Sequence, residues 1–109
     1  MIRITVATVT VVLCAITASA QDVAHGKQVF ADSKCGVCHS IAGQGNKKGP
    51  LDSVGAKLSP ADIREWIVSA PEMAAKAKAD RKPPMKAYSD LSKQDVDDLV
   101  AYLGTLKKK

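Results

Sequence analysis

Two cysteines and a histidine lie within five consecutive positions and carry the most distinctive chemistry of the chain. The segment is Cys35-Gly36-Val37-Cys38-His39. On a helical turn, positions i, i+3 and i+4 share one face, so both thiols and the imidazole would point the same way. Two thiols so placed can bond the two vinyl groups of one haem, and the histidine can then put a ring nitrogen on the iron. This C-x-x-C-H pattern is the attachment signature of a c-type haem, so it predicts one covalently bound haem c.

Three other kinds of site could use the same residues. A redox-active C-x-x-C in a thioredoxin-like fold needs a βαβ pattern nearby, and no run long enough for a strand follows residue 20. A zinc ion held by these three residues and His25 would require two adjacent side chains, Cys38 and His39, to reach one tetrahedral ion. A structural disulfide between Cys35 and Cys38 would close a tight, strained ring. The haem interpretation is favoured, and His25 is then expected to be a solvated surface residue.

The first twenty residues have the pattern of an export signal. A short basic start at residues 1–3 precedes an apolar run at 6–16, and Ala18-Ser19-Ala20 has the small residues of a signal-peptidase site. We therefore predict a signal peptide over 1–20, a single domain over 21–109 and a periplasmic location. The alternative is an uncleaved membrane anchor, although the run from residue 4 to 20 is 17 residues long, at the short edge of what a bilayer needs.

Cleavage after Ala20 would remove Cys14 and leave the two cysteines of the motif, which agrees with haem attachment outside the cytoplasm. The remaining domain is small, and domains of this size bury relatively little surface. Its only aromatic residues are one phenylalanine, one tryptophan and two tyrosines. A bound haem would supply the large apolar core that these side chains cannot.

The charge of the mature chain favours acidic protein partners. Loss of Arg3 with the signal leaves 15 Lys and Arg against 11 acids, a net charge of +4. A basic surface can steer a protein toward acidic proteins, membranes or nucleic acid. The lysines are scattered without interleaved aromatic residues, and no nucleic-acid motif is present. We expect transient acidic redox partners, no nucleic acid, no membrane span after cleavage, and a monomer.

The elements that must position the motif are helices. Three helix starts follow residues of the N-cap type, which are Asp22, Ser59 and Ser92. Pro71 is predicted to end the middle helix, and 72–80 is predicted to form a short exposed helix. The last helix carries an apolar stripe at helical spacing, made by Val96, Leu99, Val100, Leu103 and Leu106. Gly26 inside the first helix costs up to ~1 kcal/mol relative to alanine, so we expect another helix to approach it closely.

Two further residues, one in a loop and one on the middle helix, could support a haem. The glycine- and lysine-rich segment 40–49 is predicted to be a loop that ends at Pro50. A metal-bound histidine usually donates its second ring N–H to an oxygen, and the Pro50 carbonyl is a plausible acceptor; an ordinary Gly-Pro turn is the alternative. Trp66 on the middle helix has an indole N–H that could donate to a haem propionate.

A methionine is placed to reach the opposite side of a haem. Met85 directly follows Pro83-Pro84, which stops any helix and forces an extended strap. Its soft sulfur suits the haem iron of electron-transfer proteins and raises the potential. Met73 is the rival ligand, but it lies in the helix-prone Ala/Lys stretch. The thioether of Met85 could therefore approach an iron atom from the side opposite His39.

The order of these pieces resembles class I cytochrome c over residues 22–107. The most specific parts are 35–39, then 85–92 and 99–103, which look like the methionine loop and last helix of small bacterial members. The resemblance implies an all-α fold of three to five short helices around one haem, with the first and last helices crossing. At that crossing it implies that Gly26 and Phe30 meet Leu99 and Tyr102.

The resemblance also implies a role for each site residue. Cys35 and Cys38 would form the thioethers, His39 would be the proximal ligand, Met85 the distal ligand, and the Pro50 carbonyl the acceptor for His39. The predicted function is a periplasmic carrier of single electrons, not an enzyme. The alternatives are a haem c subunit of a periplasmic oxidoreductase, or a haem-based sensor or small peroxidase with an open sixth iron position.

Overall fold

The computed structural model describes residues 9–12 and 21–108. Most of the predicted signal peptide, including the cleavage site, lies outside the described residues. Val9, Val11 and Val12 are exposed. None of the helices in the two described ranges combines the length and apolar character that a bilayer crossing requires.

The described residues form five α-helices, one short 3₁₀ turn and a small hairpin. The elements are α1 (Val23–Asp32), the 3₁₀ turn (Cys35–Val37), β1 (Ser40–Ile41), β2 (Gln44–Gly45), α2 (Val54–Lys57), α3 (Pro60–Val68), α4 (Ala70–Ala77) and α5 (Lys93–Gly104). The predicted all-α class is confirmed. The predicted loop at 40–49 contains a hairpin, but each of its strands is two residues long, too short to leave a pattern in the sequence.

The three predicted helix starts are confirmed by their caps. The Asp22 carboxylate accepts a hydrogen bond from the His25 backbone N–H at 2.9 Å. The hydroxyls of Ser59 and Ser92 each accept from the backbone N–H three residues later, at 3.1 Å. The prediction for Pro71 is wrong in detail. α3 ends at Val68 and Pro71 lies in the first turn of α4, where a missing N–H has no helical partner to lose.

The first and last helices cross at Gly26, as predicted. A Cβ added to Gly26 would overlap the Asp98 carbonyl oxygen and lie 2.8 Å from Cβ of Tyr102. One turn later, the rings of Phe30 and Tyr102 meet edge to face, with centroids 6.2 Å apart. The missing side chain of Gly26 is therefore what lets α1 and α5 touch, and the crossing holds the ends of the chain around the central residues.

A buried carboxylate joins the same two helices. Asp98 on α5 has a side chain only 2% exposed. It accepts hydrogen bonds from the Asp22 backbone N–H at 2.8 Å, from Gln94 Nε2 at 2.8 Å and from His25 Nδ1 at 2.7 Å. The Asp22 backbone hydrogen bond is the main cause that lowers the pKa of Asp98, and the hydrogen bond that His25 donates to Asp98 raises the pKa of His25. His25 is about half exposed. The prediction that it is only a solvated surface residue is wrong, because its ring binds Asp98.

Replacement of Gly26 by alanine should lower the free energy of unfolding of the haem-loaded protein by about 1–3 kcal/mol. The added methyl group would force α1 away from the α5 backbone, and denaturant titration measures the loss. Gly104→Ala is the matched control, because a Cβ at Gly104 has no atom within 4 Å. Its stability should stay equal or rise slightly, since alanine favours helix. Equal stability of the two variants would contradict the crossing contact.

Candidate functional site

A cavity of about 600 Å³ lies against the helical core. Its wall is largely apolar and comes from segments spread along the chain: Phe30, Leu51, Val54, Leu58, Ile63, Ile67, Leu91, Leu99 and Leu103. Four of these, Ile63, Ile67, Leu99 and Leu103, are themselves buried core residues. The volume falls within the range of ligand and cofactor sites, which are mostly apolar with a few convergent polar groups.

The C-x-x-C-H segment forms one edge of this cavity. A tight turn brings its members together, because the backbone N–H groups of Cys38 and His39 both donate to the Cys35 carbonyl, at 3.2 and 3.0 Å. Both thiols and the imidazole line the cavity. The two cysteines are free thiols of intermediate exposure, and burial raises the pKa of Cys35. The structure therefore brings all three residues of the motif to the cavity wall.

The described ranges offer no support for the zinc alternative. They contain no group of three or more His, Cys, Asp or Glu side chains that could hold a metal ion. His25, the proposed fourth ligand, instead forms the hydrogen bond with Asp98 at the helix crossing. The cavity side chains are arranged for a group that binds two sulfur atoms and one imidazole across an apolar wall.

The His39 ring is oriented by a backbone carbonyl, but not by the predicted one. Its Nδ1 lies 3.0 Å from the Gly49 carbonyl oxygen, and since a carbonyl only accepts, Nδ1 must carry the proton and donate. The prediction that the Pro50 carbonyl accepts from His39 is wrong, because the carbonyl one residue earlier in the loop is the one that faces the ring. The Ser40 N–H donates to the same Gly49 oxygen at 3.1 Å, and Leu51 N–H donates to the Ser40 carbonyl at 2.9 Å.

This geometry leaves Nε2 of His39 available as a metal ligand. Burial lowers the pKa of His39, and the Gly49 hydrogen bond opposes that shift. A lowered pKa favours the neutral imidazole, which is the form that binds a metal. The chain therefore holds His39 in the tautomer and protonation state that iron ligation needs.

The methionine strap contributes the cavity's thioether. Met85 is partly buried and lines the cavity together with Pro83 and Pro84. Met73, in α4, is not among the lining residues. The structure therefore brings Met85, rather than Met73, to the same cavity as His39.

Trp66 also reaches the cavity, from α3, and is partly buried there. Of the predicted site residues, five meet at this cavity: Cys35, Cys38, His39, Trp66 and Met85. Pro50 is exposed and is not part of the wall. The site as a whole combines two thiols, an imidazole, a thioether and an apolar surface, which is the donor set that fits a covalently attached haem.

Tyr88 and Arg81 also line the cavity, although neither was predicted as a cofactor-binding residue. Tyr88 is tied to α3 by its backbone N–H, which donates to the Ile67 carbonyl at 2.9 Å. Its ring also lies 5.1 Å from Nζ of Lys86, within cation–π range. An aromatic residue three positions after Met85 was the available signal for Tyr88.

Comparison with known proteins gives the family of this chain. The family model described as cytochrome c matches residues 23–107. Cytochrome c oxidase subunit 2 of Alkalihalophilus pseudofirmus (strain ATCC BAA-2126 / JCM 17055 / OF4) is 31% identical over 91 residues, which cover 75% of this chain. The match takes in 25% of that relative, so the chain spans about a quarter of its length. No solved structure matches the chain.

Proposed function

This chain belongs to the cytochrome c family, whose members hold haem c covalently, and we propose that it is an electron carrier with one haem and His39 and Met85 as the iron ligands. The observation that carries the proposal is the meeting of both motif thiols, His39 and Met85 at one apolar cavity. Haem bound there supplies a one-electron couple between ferric and ferrous iron.

Each residue of the site has a distinct task in this proposal. Cys35 and Cys38 prevent loss of the haem by bonding it covalently. The hydrogen bond from His39 Nδ1 to the Gly49 carbonyl fixes the imidazole plane and leaves Nε2 for the iron. Met85 adds a soft sulfur ligand, which favours the ferrous state and raises the potential. The apolar wall excludes water, so little rearrangement accompanies electron exchange.

We further propose that the chain is exported, cleaved after Ala20 and active in the periplasm. The support is the basic, apolar and small-residue order of residues 1–20 together with a haem attachment motif. Retention as a membrane anchor is the alternative.

The proposed docking surface is basic and lies beside the methionine strap. Its cations are Arg81, Lys82 and Lys86, all of which are exposed. Two of them, Arg81 and Lys82, also line a second concavity of about 390 Å³, next to Cys38 and Lys48. A positive surface at the rim of the cofactor cavity suits brief encounters with an acidic redox partner.

A second candidate function is that of a haem subunit working with a terminal oxidase. The relative that is 31% identical is an oxidase subunit, and the same site would serve this role. The two candidates differ in the lifetime of the complex. A free carrier should purify alone as a monomer, whereas a subunit should co-purify with a stable partner.

Electron exchange between the reduced protein and an acidic redox partner, such as a solubilised terminal oxidase, should slow as ionic strength rises. Salt screens the exposed charges of the docking surface. The rate of electron exchange at low salt, measured by stopped flow, should fall several-fold in the Lys82→Gln variant. They should change little in Lys27→Gln, which removes an exposed charge from α1 instead. If the rate is independent of salt and of both substitutions, these residues are not the docking surface.

A further inference from the structure

Arg81 lies against the backbone that orients His39. A Cβ added to Gly49 would overlap Nη1 of Arg81 and the Cys38 carbonyl oxygen, and would lie 3.0 Å from Nδ1 of His39. The guanidinium, the imidazole and the motif backbone therefore surround one Cα. Glycine at position 49 lets the guanidinium and the Cys38 carbonyl lie against its Cα, next to the carbonyl that accepts from His39.

The charge of Arg81 is not neutralised by a neighbouring acid. Among the ion pairs of the described residues, which involve His25, Arg64 and Lys93, none includes Arg81. Nη1 of Arg81 and Nδ1 of His39 lie against the same side of Gly49, so this charge is close to the imidazole.

We propose that Arg81, held beside Gly49 and the His39 ring, raises the midpoint potential of the iron by its positive charge. The inference rests on the proposed function, because it requires His39 to be an iron ligand. Oxidation adds a positive charge to the iron, and an unneutralised guanidinium nearby repels that charge and favours the ferrous state.

The test is the midpoint potential of haem-loaded variants, measured by redox titration at low ionic strength. Arg81→Gln should lower the potential, with a several-fold change in the ratio of ferric to ferrous protein at a fixed applied potential. Arg81→Lys should recover part of the loss because it keeps the charge but not the planar guanidinium. Lys82→Gln is the matched control. It removes an equal charge one residue away, and none of the three atoms nearest to a Cβ at Gly49 belongs to Lys82, so its effect should be clearly smaller.

Equal shifts in Arg81→Gln and Lys82→Gln would overturn the proposal, because they would show only the general charge of the surface. An unchanged potential in Arg81→Gln would overturn it as well. The visible spectrum and the acid-stable haem content of each variant separate this failure from failure of the proposed function. If both are normal in Arg81→Gln and the potential does not move, His39 and Met85 still hold the iron and only the role of Arg81 is wrong. Arg81→Met gives a second neutral variant should Arg81→Gln yield little holoprotein.

Discussion

When Cys35 and Cys38 are both replaced by serine, the protein purified from cells that attach haem to cytochromes should carry no covalently bound haem. Serine keeps the size and hydrogen bonding of cysteine, but its hydroxyl does not form the thioether. Extraction with acid and acetone should therefore remove all colour from the Cys35→Ser/Cys38→Ser protein and none from the wild type. The loss should also unfold much of the chain, because an apolar cavity of about 600 Å³ at the core would lose its filling. Small domains have only a few kcal/mol of stability to lose.

Cys14→Ser is the control for this experiment, because Cys14 precedes the proposed cleavage site and lies outside the motif. That variant should carry a full complement of acid-stable haem. The mass of the same exported protein checks the cleavage, since removal of residues 1–20 makes Gln21 the first residue. Acid-stable haem in the double serine variant would contradict attachment through the motif, and circular dichroism of the colourless chain shows how much of the fold depends on haem.

Helix starts and the terminal crossing could be predicted from the sequence because their signals are local. A capping side chain acts on a backbone N–H three residues away, so Asp22, Ser59 and Ser92 mark their own helices. Gly26 was informative for a related reason. A glycine inside a helix is unfavourable unless something fills the space of its missing side chain, and that space proves to be occupied by the backbone of α5.

The acceptor for His39 could not be predicted because it depends on how two segments pair. Gly49 and Pro50 are adjacent and each has a carbonyl oxygen, so composition does not distinguish them. The choice is made by the bridge between Ser40 and Pro50, whose hydrogen bonds place the Gly49 oxygen between the Ser40 N–H and the imidazole. A shift of this pairing by one residue would have made the Pro50 carbonyl the acceptor, as predicted.

Asp98 escaped prediction because an acid in an amphipathic helix usually faces water. Its neighbours Asp95 and Asp97 are more exposed than it is, with side-chain exposures of 34% and 17% against 2%. Asp98 is buried because its carboxylate has three donors, of which Gln94 is on α5 and two are at the start of α1. Those two, the Asp22 N–H and His25 Nδ1, are more than 70 residues away along the chain, and no pattern within α5 reveals them.

Replacement of Met85 by alanine should abolish the weak absorption band that ferric iron gives, near the red end of the visible spectrum, when methionine sulfur is bound. The same variant should have a lower midpoint potential, because a soft ligand that favours ferrous iron is gone. The proposed sixth position would then bind small ligands or a nearby lysine. Met85 is the thioether in the wall of the cavity that contains His39, so no other described methionine should replace it.

Met73→Leu is the matched control, since it removes the other methionine of residues 21–108 from a helix that does not bring it to the cavity wall. Its band and potential should equal those of the wild type. If Met73→Leu loses the band and Met85→Ala keeps it, the two ligand assignments are reversed and the strap must rearrange around haem. If both variants keep the wild-type spectrum, a nitrogen ligand occupies the sixth position. A wild-type protein that binds carbon monoxide readily would instead have an open sixth position, and the sensor interpretation would replace the electron carrier.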